Sequence, residues 1–214
     1  MLDARIRPRI DPLLDAFGRR LLASGIRADA VTVAGFGLGL VAIACTASGA
    51  FLAGLGFFLL NRLCDGVDGA LARSRGITDL GGFLDIVLDF LIYAGMVFAF
   101  AAADPATHAL PAAFLLWSFM GTGSSFLAFA ILAAKRGLVS PERGTKSFYY
   151  LGGLAEGSET ILFFVLCALF PDAFPALAWS FAGLCWLTTL GRIGTAVRSL
   201  RTPRPAPAGS PPGP

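Results

Sequence analysis

Between Asp29 and Arg62 the chain carries no acidic, basic or histidine side chain, and between Asp104 and Lys135 it carries only His108. A helix that crosses a bilayer needs roughly 20 mostly apolar residues. Both stretches exceed that, and both are far too long for the apolar part of a cleaved leader, which the N-terminus does not resemble. The composition agrees: 56% of the residues are hydrophobic, 14% are charged, and the mean hydropathy is +0.72. Soluble domains carry about 25% charged residues. The solvent is therefore lipid. A soluble globular enzyme, a disordered chain and a secreted disulfide scaffold are excluded, and a net charge of +3 gives no support for a nucleic-acid partner. Cys45, Cys64, Cys167 and Cys185 all sit in apolar segments without CxxC or zinc-like spacing, and read as small buried hydrophobes.

Six spanning segments are expected, near 31–49, 51–72, 80–102, 110–134, 148–169 and 174–197. Breaks fall at Ser48-Gly49, at Asp79-Leu80-Gly81, at Asp104-Pro105, from Gly137 to Lys146 and from Pro171 to Pro175. Ahead of them, residues 5–23 place Ile6, Ile10, Leu13, Leu14, Phe17 and Leu21 at helical spacing, with Arg5, Arg9, Arg19 and Arg20 off that stripe. Such a helix lies in the membrane interface or packs on the protein. The expected organisation is an amphipathic juxtamembrane segment over 1–29, a six-helix transmembrane domain over 30–200, and a disordered Pro- and Gly-rich tail over 201–214. The fold class is all-α and integral to the membrane.

The basic residues orient it, because cytoplasmic loops are enriched in Lys and Arg. Six arginines precede the first segment, Arg73 and Arg75 follow the second, and Lys135, Arg136, Arg143 and Lys146 separate the fourth from the fifth. Arg198, Arg201 and Arg204 close the sixth, while Asp104, His108 and Asp172 mark the opposite turns. Both termini are thus expected in the cytoplasm after six crossings.

Chemistry concentrates between Asp65 and Asp89, in the run DGVDGALARSRGITDLGGFLDIVLD. Carboxylates at membrane depth are costly and mark function by default. Asp65, Asp68, Gly69 and Ala72 share one helical face, with Asn61 a turn earlier; Gly81, Asp85 and Asp89 share a face of the next helix. A short turn makes the two helices antiparallel neighbours, so the four aspartates converge. Four like charges cannot sit together unpaired. Oxygen-only ligands favour a hard ion, Mg²⁺, Mn²⁺ or Ca²⁺, and the first two commonly bridge carboxylates to substrate phosphates. Two carboxylate-bound ions can clamp a displacement at phosphorus. Gly69 and Ala72 let a ligand approach closely, and Arg73 can meet a phosphate. Asp79 reads instead as a helix cap.

The pattern Asp65-x2-Asp68-Gly69-x2-Ala72-Arg73-x7-Gly81-x3-Asp85-x3-Asp89 resembles the signature of the CDP-alcohol phosphotransferases, with all eight positions present. Six spanning helices, an N-terminal interfacial helix and cytoplasmic termini are also features of that family. The resemblance implies that Asp65, Asp68, Asp85 and Asp89 surround two Mg²⁺ or Mn²⁺ ions, and that Asp89 is the general base. It implies that Asp65, Asp68, Gly69, Ala72, Arg73 and Thr32 contact the CDP moiety, and that Gly81 permits close helix approach. It further implies a homodimer. The reaction would be attack of an acceptor hydroxyl on the phosphorus next to the alcohol of a CDP-alcohol, with CMP leaving. The expected donor is CDP-diacylglycerol, the acceptor a small polar alcohol such as glycerol 3-phosphate, and the setting phospholipid biosynthesis at the cytoplasmic side of a bacterial inner membrane. One departure lies upstream. Many members carry Pro-Asn before the threonine, where this chain reads Ala28-Asp29-Ala30-Val31-Thr32.

An acceptor or polar patch is expected among Glu156, Glu159, Arg192, Lys135 and Arg143. Glu156 and Glu159, one turn apart, either meet a polar acceptor or an ion, or pair with Arg192 or Arg62. Lys135, Arg136, Arg143 and Lys146 either hold an acceptor phosphate or simply obey the topology rule. Gly121, Thr122, Gly123, Ser124 and Ser125 suit close helix packing, and His108 a turn. Two other functions compete: a cation transporter with a carboxylate site, and a family member joining a CDP-linked head group to a lipid alcohol.

Overall fold

In hydrocarbon, each backbone N–H and C=O must find its partner within its own segment, and the apolar stretches accordingly form helices. A computed structural model describes residues 12, 16, 28–76, 78–136 and 153–201. Apart from residues 12 and 16, the amphipathic segment over 5–23 lies outside the described residues, as do the tail from Thr202, Arg143 and Lys146. Six α-helices with described bounds follow one another among the described residues: α1 (Ala28–Ala47), α2 (Phe51–Arg75), α3 (Asp79–Ala103), α4 (Pro105–Lys135), α5 (Gly157–Leu169) and α6 (Phe174–Arg201). A one-turn 3₁₀ helix, Pro171–Ala173, joins the last two. No strand occurs among the described residues.

The breaks have local causes. Gly49 and Gly76 adopt φ of 82° and 104°, a region that costs glycine little. They end the turn after α1 and the last turn of α2. Thr78, not Asp79, caps α3: its hydroxyl accepts the Gly81 N–H at 3.0 Å, and Asp79 lies in the first turn, where its charge suits the helix dipole. α4 starts at Pro105 rather than near residue 110. Proline is well placed at a first helical position, and the Asp104 carboxylate accepts from the Thr107 hydroxyl at 2.5 Å and its N–H at 3.4 Å. The Thr107 hydroxyl holds the Asp104 carboxyl below the usual carboxylate range. His108, expected in a turn, is buried in α4; its Nδ1 lies 2.9 Å from the Phe100 carbonyl at the end of α3.

The fifth segment departs most from expectation. Residues 153–156 are not helical and α5 begins at Gly157. The Thr188 hydroxyl of α6 accepts the N–H groups of Leu154 and Ala155 at 3.0 Å each, and Glu156 accepts that of Gly153 at 3.1 Å. Side chains thus satisfy backbone donors that a helix would otherwise use.

α1, α3, α4 and the stretch Pro171–Arg201 are long and apolar enough to cross a membrane. α2 has the length, but Arg62, Asp65, Asp68 and Arg73 charge its second half. α5 has the composition but only 13 residues, about 20 Å of helix. The bundle is integral to a membrane: Leu52, Leu110 and Met120 are 67%, 71% and 69% exposed, and such side chains face lipid.

Two helix groups meet. α1 packs on α2 and α3, α4 packs on α6, and α3 and α4 join the groups, with α5 against α2. Small residues bring α1 to its neighbours: a Cβ at Gly35 would lie 2.7 Å from that of Cys64, and one at Gly39 would clash with Ile92. Between the groups, Phe58, Phe100, Phe164 and Phe174 are fully buried, with Phe100 and Phe174 stacked at 4.9 Å.

Candidate active site

The charged half of α2 and the first turns of α3 form one end of this bundle, closed on a third side by the start of α1. Helical periodicity turns Asp65 and Asp68 of α2 toward Asp85 of α3. One carboxylate oxygen from each of the three lies within 4.8 Å of the other two. Burial grades across them: Asp68 is buried, Asp65 half-buried and Asp85 exposed. Thr32, Gly35 and Phe36 of α1 complete the wall of the cleft.

Thr32 is more than wall. Its hydroxyl donates to Asp68 Oδ2 at 2.6 Å, so the threonine that survives the upstream departure from the family pattern touches the most buried carboxylate. Three carboxylates this close repel one another. Their oxygen-only donor set, partly buried and open on one side, fits a hard divalent cation such as Mg²⁺ or Mn²⁺.

Asp89 lies a turn deeper on α3 and is held differently. Arg62 Nη2 reaches its Oδ1 at 2.8 Å, and Arg62 Nη1 stands 4.0 Å from Asp65 Oδ2. The rest of the guanidinium is also engaged: Nε and Nη2 donate to Asn61 Oδ1 at 2.9 and 2.6 Å, and Nη1 donates to the Tyr93 hydroxyl at 3.0 Å. Sequence reasoning offered Arg62 to the glutamates instead. Two spacings could have corrected it, since Arg62 is i−3 from Asp65 and Tyr93 is i+4 from Asp89, but which residue lies opposite on α3 depends on helix register.

The remaining signature positions surround the rim. A Cβ at Gly69 would lie 3.4 Å from Arg73 Nη1, so the bare glycine leaves room for that guanidinium to fold back along α2. Arg73 itself is exposed and Ala72 half-buried. Gly81 faces its own cap and the start of α1, where a Cβ would stand 3.0 Å from the Thr78 hydroxyl and 3.7 Å from Asp29.

Of the residues expected to form an acceptor patch, the described ones, Glu156, Glu159, Arg192 and Lys135, are not among those lining this cleft. Glu156 sits in the N-cap position of α5 and Glu159 in its first turn. Arg192 is buried in α6, where Nη1 donates to the Thr122 carbonyl at 3.0 Å and the guanidinium stands 5.6 Å from the Phe126 ring centre. Lys135 is exposed at the end of α4, and Arg143 lies outside the described residues. Gly121 serves packing, with Thr189 and Trp186 of α6 against it.

Comparison with known proteins identifies the family and the fold. Residues 26–191 match the family model for CDP-alcohol phosphatidyltransferase. The chain is 54% identical over 202 residues to inner membrane protein YnjF of Escherichia coli K12, covering 94% of this chain and 98% of that protein. It is 29% identical over 199 residues to archaetidylinositol phosphate synthase of Pyrococcus horikoshii, covering 92% and 97%. Its fold resembles the crystal structure of Mycobacterium tuberculosis phosphatidylinositol phosphate synthase with CDP-DAG bound, at a TM-score of 0.69 and 21% identity over 86% of this chain and 94% of that one. The same enzyme with manganese and citrate gives a TM-score of 0.68 at 23% identity, over 86% of this chain and 88% of that one. Since the matched span contains all eight signature positions, the chain belongs to the CDP-alcohol phosphatidyltransferase family.

Proposed function

We propose that this chain transfers the phosphatidyl group of CDP-diacylglycerol to a small polar alcohol and releases CMP, with Mg²⁺ or Mn²⁺ as cofactor. The observation that carries this reading is the convergence of Asp65, Asp68 and Asp85 within 4.8 Å, inside the family signature. Asp65, Asp68 and Asp85 would hold the metal. When bound there, the metal would supply positive charge against the charge that develops at the diphosphate.

The chain's own residues supply the rest. Arg73, exposed beside Gly69, meets the diphosphate of the CDP group, and the small faces of Gly69 and Ala72 admit the nucleotide close to α2. Thr32 fixes Asp68. Asp89 accepts the proton of the acceptor hydroxyl as that oxygen bonds to the phosphorus nearest the diacylglycerol. The bond from that phosphorus to the bridging oxygen breaks, and CMP carries the electron pair away. The carboxylates sit near one end of their helices, so the acyl chains can remain in the bilayer while CDP reaches water. That position also favours a transferase over a transporter, which needs access from both sides.

We place the catalytic domain over residues 30–200, with six crossings, both termini and the cleft on the cytoplasmic side of a bacterial inner membrane, and two copies per assembly. The acceptor is a phosphorylated polyol, with glycerol 3-phosphate and inositol phosphate first to test. The purified chain is to be incubated with CDP-diacylglycerol, Mn²⁺ and each acceptor in turn, and the lipid product weighed by mass spectrometry. One acceptor is expected to yield a new phospholipid with matching CMP. A panel that includes CDP-linked head groups with diacylglycerol tests the reverse arrangement, and product only in that arm would overturn the donor assignment.

A further inference from the structure

Arg62 stands between the carboxylate cluster and the aromatic core, with its side chain only 7% exposed. Its guanidinium is fixed by groups other than the aspartates. Nε and Nη2 donate to Asn61 Oδ1, and Asn61 is itself anchored to α1, its Nδ2 donating to the Gly35 carbonyl at 2.9 Å. Nη1 donates to the Tyr93 hydroxyl of α3. The guanidinium carbon lies 4.8 Å from the Tyr93 ring centre and 5.7 Å from that of Phe58, and Tyr93 stacks in turn on Phe164 of α5. Groups from α1, α2, α3 and α5 thus hold one cation in place.

The proposed base docks on this fixed point, since Arg62 Nη2 reaches Asp89 Oδ1 at 2.8 Å. Asp89 remains part of the four-aspartate cluster, in hydrogen-bond contact with Asp65. We infer that Arg62 is a positioning residue for the transfer step: it pins Oδ1 of Asp89, and the other oxygen, Oδ2, takes the proton of the acceptor hydroxyl. This rests on the reading of Asp89 as the base. A carboxylate gripped at one oxygen still has lone pairs for a metal ion and for a proton. The terminal torsion of an aspartate is broad, so a second contact is what selects one orientation. A guanidinium suits that task because its N–H groups form a rigid planar fork, whereas a lysine ammonium is a point charge on a flexible stem. Tyr93 and Asp89 are one turn apart on one face of α3, so the guanidinium that bonds both also fixes that face against α2.

Steady-state CMP release by the purified full-length chain in lipid nanodiscs, with saturating Mn²⁺ and the acceptor that supports turnover, tests this. A misplacement of about 1 Å costs about 100-fold in rate, so kcat of Arg62→Met is expected to fall by about that factor while KM for CDP-diacylglycerol stays near the wild-type value. Arg62→Lys keeps the charge without the fork and is expected to recover only part of the loss. Tyr93→Phe keeps the ring and removes one anchor; it is expected to lower kcat severalfold with an unchanged melting temperature, which decides the matter if Arg62→Met does not fold. A wild-type kcat in folded Arg62→Met or in Tyr93→Phe, a loss confined to KM, or full recovery in Arg62→Lys would each overturn the role of Arg62 while leaving the transferase reading intact. Undiminished release by Asp89→Asn would overturn the base assignment and the inference with it. No CMP from the wild-type chain with any acceptor would overturn the transferase reading itself.

Discussion

The Thr32 hydroxyl crosses from α1 to Asp68 at 2.6 Å, and Asp68 is the most buried of the clustered carboxylates. A hydrogen bond to a charged group contributes about 1.5–3 kcal/mol. Thr32→Val keeps the shape and removes the donor, so kcat/KM for CMP release is expected to fall about tenfold, the equivalent of roughly 1.4 kcal/mol, while Thr32→Ser stays near wild type. Equal rates for the valine and serine variants would remove Thr32 from the site. At this scale the sequence is legible where chemistry follows from spacing: Asp65, Asp68, Asp85 and Asp89 stand out because charge is so scarce around them. Arg62 is not legible in the same way. Its spacing puts it beside Asp65, but its partner is Asp89 on another helix, and a lone basic side chain in a spanning segment fits several acids equally well on sequence alone.

Elements are set by what their backbones can do. α1 approaches α2 through Gly35, whose added Cβ would sit 2.7 Å from the Cβ of Cys64, an atom fixed to the opposite helix. Gly35→Ala must therefore push α1 from α2. Overpacking of this kind costs about 1–3 kcal/mol, so the melting temperature is expected to drop, and because Gly35 also lines the carboxylate cleft, CMP release is expected to drop with it. Gly37, with nothing within 4 Å of an added Cβ, is the control. Gly37→Ala is expected to leave stability unchanged or raise it, by up to about 1 kcal/mol from helix propensity. Equal melting temperatures for the two variants would mean that α1 is not held as described. Helices α1 to α3 are recoverable from sequence to within about three residues because glycine and polar caps punctuate them, and α4 starts five residues earlier than expected, at Pro105. The start of α5 is not recoverable, because its preceding backbone donors are taken by Thr188, more than thirty residues away in the chain.

The described residues form a helical bundle with an apolar surface and a charged cluster where α2 meets α3. Its class follows from the long uncharged stretches alone, but the number of helices that qualify as spans does not. α2 carries its charges within the helix because the site is built there, and α5 is short. The central claim is that Asp65, Asp68 and Asp85 hold a divalent ion on which transfer from a CDP-alcohol depends. Its most direct test is release of CMP from CDP-diacylglycerol and the active acceptor by the purified chain, with Mn²⁺ present, removed by chelation and restored. Release is expected to stop on chelation, to return with Mn²⁺, and to be absent from Asp68→Asn at any Mn²⁺ concentration although that variant remains folded. Release that persists in the chelated wild type, or in Asp68→Asn, would contradict it.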